Sequence, residues 1–155
     1  MQAIQKELNM ILDNQAYNRL IDAGIHPSAQ RIAIMEYLLT NFTHPTVDEI
    51  YKNLCPKIPT LSKTTVYNTL RLFAEHHAAQ MITIDDHRVC YDGKMEPHVH
   101  FFCNKCGKII DLPNEAAPQL AEKRNIDGHI VDEMQLYYKG VCNECVNAEL
   151  EKSKN

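Results

Sequence analysis

The chain has no run of about eighteen consecutive apolar residues, so nothing in it reads as a membrane-spanning helix. Its start, MQAIQKELNM, lacks the basic patch and apolar stretch of a secretory signal, and the expectation is a cytoplasmic protein. Basic charge is not in excess either: 16 Lys and Arg face 20 Asp and Glu, a formal net charge of −4. That balance argues against binding nucleic acid by bulk attraction, so any such affinity has to come from a local patch. Internal repeats, low-complexity segments and an H-E-x-x-H motif are absent as well. What is present is a chain of 155 residues, 45% hydrophobic, enough for one ordinary domain or two small ones. Its six cysteines, in a reducing compartment, favour metal binding over disulfides.

The first half reads as helices. Ile4, Leu8, Ile11, Leu12, Leu20 and Ile21 recur at helical spacing, and Gly24 suits a C-cap. Ser28 is placed to cap a second helix, AQRIAIMEYLLTN, with Ile32, Met35, Leu38 and Leu39 facing the core. Thr46 and Glu49 form a capping box that opens a third. Ser62 caps a fourth, KTTVYNTLRLFAEHH, with Val66, Leu70 and Phe73 inward. MITI and VCY, separated by an acidic turn, then predict a short β-hairpin. Helices followed by a hairpin is the order of a winged helix-turn-helix; any small α+β domain is the alternative. The stretch DGKMEP, 92–97, reads as a hinge between a first domain over 1–91 and a second, α/β, domain over 98–155. The second is expected to hold strands at 98–103 and 107–112 and a helix near 114–124 whose first turn or bend is at Pro118. A strand, HIVDEMQLYYKGV, and a short helix after CNEC complete it.

The densest chemistry lies in HVHFFCNKCGKIID, 98–111, where two histidines, two cysteines and an aspartate, all metal-ligand types, fall within fourteen residues. Alternate residues of a strand face opposite ways. His98, His100 and Phe102 therefore share one face, and Val99, Phe101 and Cys103 the other, which predicts two metals rather than one. Cys103-x2-Cys106 is matched by Cys142-x2-Cys145. Two such knuckles supply the closed tetrahedral four-sulfur shell that structural Zn²⁺ prefers, and Gly107 supplies backbone freedom for the first. A redox C-x-x-C or a pair of disulfides is the alternative; Cys55 and Cys90 read as ordinary small apolar residues. If the hairpin is centred between 104 and 105, His98 stands directly opposite Asp111, with His100 one step along. This sulfur-free set suits Fe²⁺, Mn²⁺, Zn²⁺, Co²⁺ or Ni²⁺, and affinity alone does not choose among them.

THPTVDEIY, SKTTVYNTLRLF, HVHFFCNKCGKIID and GVCNEC, in this order, resemble the ferric uptake regulator family of bacterial metal-dependent repressors over most of the chain. The resemblance implies an α+β protein: an N-terminal winged helix-turn-helix domain that reads DNA and a C-terminal α/β dimerisation domain, assembled as a homodimer. It implies a structural Zn²⁺ on Cys103, Cys106, Cys142 and Cys145. It also implies a regulatory Fe²⁺ or Mn²⁺ on His44, Asp92, His98, His100 and Asp111. The last set resembles the peroxide-responsive branch, because the iron-sensing branch usually carries Glu at the hinge and after CGK. In that branch the residues at His44 and His98 take up oxygen and DNA is released. A further site found in many members has its equivalents here at Pro97, Val99, Pro118 and Met134, so its absence is expected.

For DNA, the helix 63–75 is the expected reader of a double-stranded operator, palindromic and A/T-rich, in the major groove. Tyr67 and Asn68 are the candidate base contacts, and Lys63, Thr64, Thr65 and Arg71 the phosphate contacts. The family often places a basic residue in the last turn of the first helix, facing the minor groove; Ile21 stands there, with Arg19 as a candidate substitute. The remaining readings are a sibling that senses iron or zinc without peroxide chemistry and, more remotely, a metal-dependent hydrolase. No enzymatic activity is expected.

Overall fold

Side-chain caps at Ser28, Thr46 and Ser62 set the starts of three helices in the first half. The computed structural model describes residues 1–117 and 124–153, with the side chains of 2–3, 5–9, 11–13 and 124 outside that description. The chain divides into two compact units, Met1–Met95 and Glu96–Asn155.

In the first unit, helix α1 spans Gln2–Asp22. It ends in a Schellman motif: Gly24, at φ +69°, and Ile25 donate N–H bonds back to the Ile21 and Leu20 carbonyls. Helix α2, Ala29–Thr40, is capped by Ser28, whose Oγ accepts from the Arg31 N–H. Helix α3, Val47–Leu54, opens on the Thr46–Glu49 capping box, with the Thr46 N–H donating to Glu49 Oε2 at 2.7 Å. Helix α4, Lys63–Glu75, starts at Ser62, which accepts from the Thr65 N–H. These helices bury Leu20, Ile34, Met35, Leu38, Ile50, Val66, Leu70 and Phe73 almost completely. Each such side chain contributes about 1.5–3 kcal/mol of transfer free energy. Ile32 and Leu39 lie half-buried against this core. Ile4 and Ile21 depart from their expected place: they are 64% and 48% exposed on α1. The side chains of Leu8, Ile11 and Leu12 lie outside the described residues.

Strands β1, Gln80–Ile82, and β2, Cys90–Asp92, pair antiparallel with Met81 opposite Tyr91. Tyr91 packs into the helical core, and its N–H donates to the Pro45 carbonyl, tying the hairpin to the loop before α3. Four helices followed by this hairpin make the first unit a winged helix-turn-helix.

In the second unit, β3, Val99–Cys103, pairs antiparallel with β4, Ile109–Leu112, and parallel with β7, Tyr137–Gly140. Strands β5, Arg124–Ile126, and β6, His129–Val131, form a separate hairpin. Its turn residues Asp127 and Gly128 both have positive φ, the Asp-Gly pattern of a tight hairpin. The single strand expected over 129–141 is therefore two, because residues 132–136 leave the ladder between β6 and β7. The helix expected near 114–124 is not seen at either end: 113–114 form a turn and Arg124 opens a strand. Residues 118–123, with Pro118, lie outside the described residues. Helix α5, Asn143–Lys152, begins inside CNEC rather than after it, with Cys142 as its N-cap. Among the described residues, no helix is long and apolar enough to cross a membrane.

Candidate metal centres

The chain turns tightly at 103–108. The Gly107 N–H donates to the Cys103 carbonyl and the Cys103 N–H to the Lys108 carbonyl, with Gly107 at φ +73°. The Cys106 N–H points at Cys103 Sγ at 3.4 Å, and the Cys142 N–H reaches the same sulfur at 3.3 Å. These N–H donors hold the Cys103 thiol down at about 6, well below an ordinary cysteine. Cys145 is pushed up to about 12, first by its bond with Cys142 and then by burial. Cys103 and Cys145 sulfurs stand 4.0 Å apart and those of Cys106 and Cys142 3.7 Å, with all four within 4.8 Å of one another. Sulfurs held about 2.3 Å from one zinc stand about 3.8 Å apart in a tetrahedron, so the four cysteines fit that ion. None of the six cysteines is disulfide-bonded.

On the same sheet, His100 stands opposite Asp111. The expected pairing of His98 with Asp111 is corrected by two residues, because the knuckle occupies four residues between Cys103 and Lys108 and so moves the centre of the hairpin. A slip of two preserves the face of every side chain, whereas a slip of one would have reversed it. His98 Nε2 is 3.3 Å and His100 Nε2 3.5 Å from Asp111 Oδ1, and the two Nε2 atoms are 2.9 Å apart. His98 Nδ1 lies 2.7 Å from the Glu96 carbonyl. A carbonyl only accepts, so Nδ1 carries the proton and Nε2 presents its lone pair to the cluster. Nitrogen and oxygen donors about 2.1 Å from one ion stand about 3.0–3.4 Å apart, so this set also fits a metal. Sequence reasoning did not find the Glu96 carbonyl, since a backbone acceptor has no residue signature.

A second pair of ligand types is built in the first unit. His44 Nε2 is 3.6 Å from Asp92 Oδ2, and both side chains are nearly inaccessible. His44 has φ +52°, a left-handed conformation that costs a non-glycine residue about 1 kcal/mol or more and that recurs where function constrains the chain. The Lys94 N–H donates to Asp92 Oδ1 at 2.8 Å, which turns Oδ2 toward His44. Gly93 lets β2 run against α2: a Cβ there would lie 2.9 Å from the Leu38 carbonyl oxygen. A glycine directly after a candidate carboxylate was the available signal for this close approach.

On α4, Lys63, Thr64, Tyr67, Asn68 and Arg71 are exposed and Thr65 is half-buried against its Ser62 bond. Tyr67 is 49% exposed and so does not belong to the core. Lys63 pairs with Asp48 at 2.9 Å and Arg71 with Glu75 at 3.3 Å. Arg19 is placed otherwise than expected. Its Nη1 donates to the carbonyls of Ala78 and Gly93, at 3.3 and 3.1 Å, so it ties α1 to the hairpin instead of reaching outward.

The family model described as "Ferric uptake regulator family" matches residues 22–139. A peroxide-responsive repressor, PerR, of Staphylococcus epidermidis is 40% identical over 129 residues, spanning 79% of this chain and 83% of that protein. The solved ferric uptake regulator of Pseudomonas aeruginosa with manganese superposes at TM-score 0.62 with 19% identity, covering 81% of this chain and 96% of that one. The regulator of Francisella tularensis with iron superposes at 0.60 with 21% identity, covering 79% and 96%.

Proposed function

Since the chain belongs to the ferric uptake regulator family, we propose that it is a homodimeric, metal-dependent transcriptional repressor in the cytoplasm that responds to peroxide. The observation that carries this reading is the sulfur-free His98, His100 and Asp111 cluster, built beside but chemically distinct from the four-cysteine set. A structural zinc on Cys103, Cys106, Cys142 and Cys145 needs no such second set. We assign the regulatory Fe²⁺ or Mn²⁺ to His98, His100 and Asp111 together with His44 and Asp92. Ligands drawn from both units make metal binding favour the arrangement that gathers them. Moving such an equilibrium from mostly open to mostly closed takes about 5 kcal/mol of differential binding, which a chelate supplies.

His98, His100 and Asp111, with His44 and Asp92, would hold an iron(II) that, when bound, would supply one-electron reduction of peroxide and so an oxidant beside the imidazoles. His44 and His98 are the rings assigned to take up oxygen. An oxidised ring is a poorer donor, so the two units lose their common tie and DNA is released. Asp rather than Glu at 92 and 111, and the 40% identity to a peroxide-responsive repressor, support this over iron or zinc sensing alone. No residue is assigned an enzymatic turnover. For DNA, α4 enters the major groove of a palindromic, A/T-rich site with Tyr67 and Asn68 at base edges and Lys63, Thr64, Thr65 and Arg71 at phosphates.

The test is peptide mass mapping of iron-loaded protein after a brief peroxide dose, beside a manganese-loaded control, with DNA binding followed in parallel. Added oxygen on the His44 or His98 peptide, with DNA release in the iron form alone, is the expected result. Unmodified histidines with binding intact would make this a regulator that reads metal concentration.

A further inference from the structure

One peptide group in the first unit is held at both of its ends. The Gly93 carbonyl accepts from Arg19 Nη1 at 3.1 Å, and the Lys94 N–H donates to Asp92 Oδ1 at 2.8 Å. That carbonyl and that N–H belong to the same planar peptide, so they point in opposite directions and turn together. Fixing the oxygen therefore fixes the direction of the N–H. A carbonyl that accepts from a guanidinium is also polarised, which makes its own peptide N–H the stronger donor. The Asp92 carboxylate is thus aimed, through one peptide plane, by a side chain on α1.

Arg19 takes its own bearing from the core. It stands in the last turn of α1, where Ala16 and Leu20 are sealed from water. The same Nη1 donates to the Ala78 carbonyl at 3.3 Å. Ala78 is buried, and its N–H bonds the carbonyl of Phe73, itself fully buried. The two carbonyls that Arg19 reaches lie just beyond Gln80 and Asp92, the last pair of the β1–β2 ladder. One nitrogen with two N–H groups therefore closes the open end of the hairpin. Gly93 is buried against α2, where a Cβ would meet the Leu38 carbonyl oxygen, so the peptide has little room to shift toward that helix.

Asp92 Oδ2 lies 3.6 Å from His44 Nε2, and both side chains are nearly inaccessible, so bulk water has little part in orienting the carboxylate. The partners of a ligating carboxylate then set its orientation and, with it, the affinity of the site.

We infer that Arg19 is a positioning residue for the regulatory metal. Through the 93–94 peptide it presents Asp92 Oδ2 to the ion, and so tunes metal affinity rather than touching DNA. The inference rests on the assignment of Asp92 to that metal in the reading above.

The test uses the full-length, zinc-containing chain with manganese as the probe. Arg19→Met keeps an apolar stem on the helix and removes the donors. It is expected to weaken manganese binding roughly tenfold, as loss of such an outer partner typically does, and to speed amide exchange at Lys94 in the manganese-free protein. The manganese needed for half-maximal binding to a duplex selected by the wild type should rise by the same factor, with affinity at saturating manganese kept. Arg19→Lys, which retains a charged donor on a shorter stem, should recover part of both losses. His76→Ala is the control. It removes another tie onto the end of α1, from Nδ1 to the Ala23 carbonyl at 3.0 Å, and should leave manganese affinity unchanged. Unfolding temperature and zinc content check that each variant is folded. Wild-type manganese affinity and Lys94 exchange in Arg19→Met would overturn the inference. An equal loss in His76→Ala would do so too, since general loosening of α1 would then suffice. Weaker DNA binding at saturating manganese with unchanged metal affinity would make Arg19 a DNA contact instead. Asp92→Ala that binds manganese as the wild type does would overturn the metal assignment on which the inference stands.

Discussion

The two units stay folded by different means. Met1–Met95 packs a continuous apolar core in which Phe73, Leu20, Met35 and their neighbours are sealed from water. In Glu96–Asn155, the buried apolar-type residues among those described are Val99, Ile109, Cys103 and Cys142, and two of these are candidate zinc ligands. Helix α5 buries no residue at all. The first unit is held by the hydrophobic effect, while the little apolar burial among the described residues of the second leads us to expect that it depends on a metal at its four cysteines to fold.

The largest effect should come from taking zinc away. Excess chelator, or Cys103→Ser, is expected to make Glu96–Asn155 sensitive to protease while Met1–Met95 stays protected. A zinc-free second unit that resists cleavage and remains dimeric would erase the contrast. Phe73→Ala should do the reverse. It should destabilise the first unit by about 3–5 kcal/mol, read by denaturant unfolding, and leave zinc content unchanged. The smallest effect sharpens the same point. Lys105 pairs with Glu149 and Lys108 with Glu144, joining the first knuckle to α5. These are exposed pairs, so Lys105→Ala with Lys108→Ala should leave unfolding temperature and zinc retention unaltered. A marked loss of either would show that ion pairs, rather than the cysteine cluster, hold that helix.

Much of the first unit was legible because its signals are local. Ser28, Ser62 and the Thr46–Glu49 box lie within three residues of the N–H groups they satisfy, and the 3.6-residue period puts Val66, Leu70 and Phe73 on one side of α4. The second unit was less legible. Its strands are short, its Asp127–Gly128 turn interrupts what read as one long strand, and its apolar periodicity is weak. The cysteine spacing and the strand parity of His98 and His100 could be read directly, since both follow from chain geometry over a few residues.

By itself the sequence determined the starts of α2, α3 and α4, the faces of the strands and the chemical types of ligand on each, all set by backbone geometry within a turn or a pleat. Tertiary structure decided the rest. It set the two-residue register shift that brings His100 opposite Asp111, the left-handed backbone of His44, the proton on His98 Nδ1, and the turning of Arg19 onto the Ala78 and Gly93 carbonyls. Each of these depends on where a distant or unmarked backbone atom lies, and a carbonyl or N–H is the same group in every residue.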